Sequence, residues 1–225
     1  MDNWLNPEAP LRPQVLSRMK HAGPPLLKHV QGQAGREDQE GRDGGADRLY
    51  LLALLNSVLS RYYARSVFQG RFMRISLEHA LELQRLQSFP VPAATERQQE
   101  LMGALFRCAV ATEDPRFDQL VNGLVYEQFF PDDLYARNCH LFDACEAAGI
   151  VDRLRAVHDD VLCEVAVEVV QAVFAIDHPI YAMLFDLRVN PVAMVVEGWV
   201  EEGTQQIRSN DQGFSRAKPR LSGAG

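Results

Sequence analysis

Residues 48–92, RLYLLALLNSVLSRYYARSVFQGRFMRISLEHALELQRLQSFPVP, decide how the chain is read. At the start of this stretch Leu51, Leu54, Leu55, Val58 and Tyr62 recur at steps of three and four, while Asn56, Ser57, Ser60 and Arg61 interrupt the other faces. That spacing predicts an amphipathic helix with one buried side. Gly70 then permits a turn, and the aromatic and β-branched residues 72–75 predict a short strand. Ser76 stands as an N-cap for a short helix over 77–86, and Phe89, Pro90, Val91 and Pro92 break the pattern. Between residues 48 and 77 lie five arginines, Arg48, Arg61, Arg65, Arg71 and Arg74, with no Asp or Glu, in a chain of net charge -7. A local cation excess of this kind points to an anionic partner.

The remaining charge is distributed the other way. Residues 1–47 carry six basic and seven acidic groups, 78–204 carry eight basic against twenty-two acidic, and 205–225 carry four basic and one acidic. Binding to a nucleic-acid backbone is carried by cation contacts to phosphate, so the acidic half is excluded as the gripping surface and the arginine-rich stretch is the part that can bind.

At 225 residues with 47% hydrophobic content, the chain can bury a single large core. No run approaches the roughly 18–20 apolar residues that span a bilayer. The start, MDNWLNPEAPLRPQ, has no apolar signal core, which predicts a cytoplasmic protein. Residues 1–46, rich in proline and then in glycine and charge, predict a disordered segment, with PLLKHV able to form a turn or pack on a neighbour.

From residue 93 onward the pattern is helical. Thr95 and Gln98 have capping-box spacing and predict a helix over 96–111. Asp114 with Pro115 starts a second, whose buried face is Phe117, Leu120, Val121, Leu124 and Val125. Pro131 ends it, and Asp132 with Asp133 begins a helix running to a C-cap at Gly149. Asp152 opens a long helix with a stripe of Leu154, Val157, Val161, Val165, Val169 and Val173. Asp177, His178 and Pro179 cap a short helix over 180–187, Asn190 with Pro191 starts another that ends near Gly198, and residues after 203 form a loose tail. The fold class is therefore mainly α, a helical domain with a small β element near residues 71–91, a disordered N-terminal segment and a flexible C-terminal tail. The domain reading is 1–46, 47–92, 93–200 and 201–225.

The order of parts in 48–92, LLALLNS, the aromatic RYYAR, the turn at Gly70, RFMRIS and the Phe-Pro-Val-Pro exit, resembles the TaqI-like C-terminal specificity domain of type II restriction-modification enzymes and their adenine-specific DNA methyltransferases. The segments FDQLVNGLVYEQFFPDDLYARNCHLFDA and IDHPIYAMLFDLRVNPVAMVVEG look like the helical part that follows that domain, which extends the likeness over most of residues 49–198. The resemblance implies a DNA-binding specificity fragment or subunit, with double-stranded DNA as its partner and a methyltransferase or endonuclease subunit beside it. The family's recognition domain has strands before the leucine-rich helix, and nothing in 1–46 reads as those strands.

An adenine methyltransferase needs a glycine-rich turn for S-adenosylmethionine and an Asn/Asp-Pro-Pro-aromatic loop for the flipped base. Neither is present, so S-adenosylmethionine and Mg²⁺ are expected only in a full-length relative, and no catalytic centre is expected here. Lys20, Lys28 and Lys218, which a nuclease could use, all fall in segments read as disordered. His158 beside Asp159 and Asp160 is not a general-base pair, because neighbours on a helix do not face one another. Cys108, Cys139, Cys145 and Cys163 read as buried thiols; Cys139 and His140, about 100° apart on a helix, would not converge on one zinc ion. For DNA, Arg65, Arg71 and Arg74 are the expected backbone contacts, and Gln69 or Asn56 the expected base-edge contact. The competing reading pairs these arginines with the acidic helices. Two other readings stand beside the DNA fragment: a helical interaction module that docks through the valine stripe, and a truncated remnant of such an enzyme.

Overall fold

Residues 11–26, 45–67, 87–155 and 157–198 are described by the computed structural model, and they are mainly α-helical. In chain order the helices are α1 (Leu11–His21), α2 (Gly45–Asn56), α3 (Val58–Val67), α4 (Glu96–Thr112), α5 (Pro115–Phe129), α6 (Pro131–Tyr135), α7 (Leu141–Ala147), α8 (Ile150–Arg155), α9 (Asp159–Val173), α10 (Pro179–Leu187) and α11 (Pro191–Gly198).

Helix α4 lies at the centre, packing on α2, α5, α8 and α9. Its capping box forms as expected: Gln98 N–H donates to Thr95 Oγ1 at 3.2 Å and Thr95 N–H donates to Gln98 Oε1 at 2.9 Å. Leu101, Met102, Gly103, Leu105 and Cys108 are its buried residues, and each of the Leu and Met side chains contributes roughly 1.5–3 kcal/mol. Glu113 ends the helix in the left-handed region at φ 53°, with its N–H on the Ala109 carbonyl. One residue later Asp114 caps α5 by accepting from Arg116 N–H at 2.9 Å. The face read from the sequence is buried, and so are Tyr126, Glu127 and Phe129, because α5 is covered on further sides by α3, α7 and α10. Gly123 lets α7 and α10 approach it, since a Cβ there would meet Leu141 and Leu184 side-chain carbons at 2.8 Å.

Several expected boundaries move. The opening helix divides at Ser57 into α2 and α3, and Ser57 and Ser60 are buried rather than on a polar face. The helix expected from Asp132 to Gly149 is two, separated by Asn138 at φ 56°; Gly149 does take a positive φ, 65°. The long helix expected from Asp152 is also two. Arg107 of α4 donates to the carbonyls of Leu154 at 3.3 Å and Val157 at 3.0 Å, so the end of α8 is held by a side chain instead of a continued helix. The buried side of α9 is Leu162, Ala166, Val169, Val170 and Val173, with Val161 exposed, and it packs against α4. Of the stripe offered as a docking face, Leu154, Val169 and Val173 are buried, Val157 and Val165 are partly buried against the core, and Val161 is exposed. His178, not Asp177, caps α10 through Nδ1, while Asn190 caps α11 by accepting from Val192 N–H at 2.9 Å.

Residues 11–26 correct the reading of 1–46 as disordered. Val15 and Met19 of α1 are buried, and Arg18 pairs with Asp133 and lies 5.0 Å over the Phe130 ring. Lys20 belongs to this helix. Beyond it, Leu26 N–H donates to Phe89 O at 2.8 Å and Val91 N–H to Pro24 O at 2.9 Å, an antiparallel bridge between Pro25 and Pro90. Of the expected β element, residues 71–86 lie outside the described residues, as does the short helix over 77–86. Residues from both sides of the 92/93 division enter one contiguous core. No single described helix is long and apolar enough to cross a membrane, and α10 and α11, taken together, are bent by 64°.

Candidate nucleic-acid interface

The Leu-Asn-Ser sequence makes the corner between α2 and α3. Ser57 Oγ donates to Leu54 O at 2.7 Å and accepts from Ser60 N–H at 3.1 Å, so one hydroxyl closes α2 and caps α3. Val58 N–H, also left free at the start of α3, donates to Asn122 Oδ1 of α5 at 2.9 Å. The start of α3 is thereby fixed to the scaffold.

Residues 88–92 are fixed too. Phe89, Pro90, Val91 and Pro92 are buried. Tyr63 hydroxyl donates to Ser88 O at 3.2 Å, its ring meets Phe89 edge-on at 5.5 Å, and Tyr50 hydroxyl donates to Pro92 O at 3.1 Å. Tyr62 and Tyr63 are core residues, as the sequence implied. Helix α3 and the Pro-Val-Pro exit thus pack on one another.

Of the expected DNA contacts, Asn56 is exposed at the end of α2, but its Nδ2 donates to Leu52 O at 2.8 Å. Its Oδ1 and the second Nδ2 hydrogen are left to face a partner. Arg65 lies in α3, with its side chain outside the described residues; Gln69, Arg71 and Arg74 lie outside them as well. Beside Asn56 a cleft of about 450 Å³ is lined by Arg61, Asp118 and Asn122 and by apolar groups including Phe106 and Val121. Arg61, Asp118 and Asn122 are not in the sequence-derived set. The available signal was the spacing of Asp118 and Asn122, one turn apart on an otherwise apolar helix.

The acidic half uses its own arginines internally. Arg97 reaches Asp152 at 3.1 Å, Arg155 reaches Glu100 at 2.6 Å, Arg116 reaches Asp114 at 2.6 Å and Arg153 reaches Glu168 at 3.8 Å. The Arg97 bond holds the exposed Asp152 carboxyl below its ordinary range, and the Arg116 bond does the same for Asp114. Arg61 is exposed and makes no ion pair among the described residues.

Elsewhere the titratable groups have structural work. Glu127 is buried and accepts from Phe142 N–H at 2.9 Å, which places a carboxylate at the N-terminus of α7. Burial nevertheless pushes its carboxyl above the ordinary value. His140 stacks on Tyr135 with ring centres 4.5 Å apart. Cys108, Cys139 and Cys145 are buried, whereas Cys163 is exposed, contrary to the sequence reading. Among the described residues no group of three or more His, Cys, Asp or Glu could hold a metal ion. No family model, curated protein or solved structure matches the chain.

Proposed function

We propose that this chain is a DNA-binding specificity fragment or subunit of a restriction-modification system, related to the adenine-specific DNA methyltransferases. It holds double-stranded DNA in the cytoplasm while a separate methyltransferase or endonuclease subunit carries the reaction. S-adenosylmethionine and Mg²⁺ belong, on this reading, to that subunit. The observation that carries the reading is the acid-free run of five arginines between residues 48 and 77, set on a scaffold whose own arginines are largely engaged with internal carboxylates. Arg65, Arg71 and Arg74 contact phosphate, and Gln69 or Asn56 meets a base edge.

The test is duplex binding by the full chain and by a variant carrying Arg71→Glu and Arg74→Glu. Loss of two phosphate contacts should weaken binding and reduce the salt slope by about 2. Equal binding by both proteins would reject the assignment of these arginines.

A further inference from the structure

The cleft of about 450 Å³ beside the α2–α3 corner falls within the roughly 300–1,000 Å³ of small-molecule sites. Its walls come from different helices: Arg61 from α3, Phe106 and Val110 from α4, and Asp118, Val121 and Asn122 from α5. Arg61 and Asp118 are both exposed, carry opposite charges and line the same space. Neither side chain makes an ion pair or a hydrogen bond among the described residues, whereas Arg97, Arg116, Arg153 and Arg155 nearby in the scaffold each meet a carboxylate. Asn122 spends its Oδ1 on Val58 N–H, which leaves its Nδ2 hydrogens to donate. The apolar wall is left uncovered as well: Val110 is 64% exposed, while Val121 belongs to the core and Phe106 packs against it.

We infer that this cleft binds a free α-amino acid with an apolar side chain. The ligand carboxylate accepts from the Arg61 guanidinium and from Asn122 Nδ2, its ammonium group donates to the Asp118 carboxylate, and its side chain covers Phe106, Val110 and Val121. Hydrogen bonds between ionised partners are the strong ones, and the apolar cover adds the burial that a bare zwitterion lacks. Charge complementarity selects this class of ligand. A phosphate, or a carboxylic acid without an amine, would answer Arg61 and leave the Asp118 charge facing an anion. An amine alone would do the converse, and a peptide terminus carries only one of the two charges. A free amino acid carries both on one carbon and is neutral overall, as the Arg61 and Asp118 pair is. The inference goes beyond the DNA reading and does not depend on it.

Titration of the full chain with L-phenylalanine, L-leucine and L-methionine, followed by ligand-observed NMR, tests it. Glycine supplies both charges without the apolar side chain; the amide and the N-acetyl form of whichever amino acid binds each lack one charge. At least one of the three amino acids should show saturation transfer and glycine none, and removal of either charge should weaken binding about tenfold. Arg61→Gln should lower affinity for that amino acid about tenfold and bring it level with its amide, and Asp118→Asn should do the same relative to the N-acetyl form. Both substitutions are at exposed positions, and thermal melting checks that the variants are folded. No transfer to any of the three amino acids, amide and N-acetyl forms that bind as well as the parent, or wild-type affinity in either folded variant would overturn the inference. Salt-dependent duplex binding found beside any of those results would reject the amino-acid site and leave the DNA reading standing.

Discussion

The Val58 N–H donates to Asn122 Oδ1 at 2.9 Å, and this bond joins the first turn of α3 to the middle of α5. The place of α3 on the scaffold is thus set partly by a carboxamide on a different helix. Asn122→Ala should destabilise the protein by about 1–2 kcal/mol, the usual cost of losing a cap that satisfies a helix N-terminal N–H. Asn122→Asp keeps the acceptor and should recover part of the loss. Urea denaturation of the three proteins checks this; unchanged midpoints would mean the bond does not hold the corner.

Gly23 approaches the Val91 backbone so closely that a Cβ would overlap the Val91 carbonyl oxygen. Backbone cannot swing aside as a side-chain tip can, so Gly23→Ala should release the bridge at Pro25 and Pro90 and cost about 1–3 kcal/mol. Gly123→Ala meets only the ends of Leu141 and Leu184, and the helical preference of alanine offsets roughly 1 kcal/mol of that crowding. Thermal melting should therefore rank Gly23→Ala as the more damaging change, and hydrogen exchange at Val91 N–H should accelerate in it alone.

Thiol reactivity should separate one cysteine from three. Burial pushes the thiols of Cys108 and Cys139 up to about 11 and that of Cys145 up to about 12, while Cys163 is exposed. A thiol reagent at neutral pH should modify Cys163 in the native protein and the others only after denaturant is added. Fast modification of more than one native thiol would show that the α4, α7 and Asn138 regions open readily.

Two carboxylates should bend the stability profile in opposite directions. Glu127 has a raised folded value, so the native state keeps its proton to higher pH than the unfolded chain does, and its contribution falls as pH rises from the ordinary carboxylate value to the raised one. Asp114 has a lowered folded value because of Arg116, so its contribution is complete above the ordinary value and is lost as pH falls through the lowered one. Glu127→Gln should remove the first effect: its stability relative to wild type should improve as pH rises above the ordinary glutamate value of about 4. A pH-independent difference would contradict this.

Signals between close neighbours in sequence were legible. Thr95 with Gln98, Asp114 with Pro115, and Asn190 with Pro191 each make their cap within three residues, and the structure places a helix start at each. What the sequence hid was imposed from a distance. The break at Ser57 draws on Asn122, 64 positions from Val58, and the end of α8 draws on Arg107, 47 positions from Leu154. Helix α1 was hidden for the same reason: its neighbourhood is polar and proline-rich, and its place depends on Arg18 meeting Asp133 and Phe130. At the candidate interface, Asn56 was visible as a polar residue near the corner, but its amide bond back to Leu52 was not. Asp118 and Asn122 escaped notice because their carrier, α5, reads as a core helix.

The most direct measurement is fluorescence anisotropy of a labelled DNA duplex titrated with the full chain across a range of salt concentrations. With Arg65, Arg71 and Arg74 on phosphate, log Kobs should fall linearly with log salt at a slope of roughly -3. Absence of binding at low salt, or binding whose strength does not change with salt, would contradict the account.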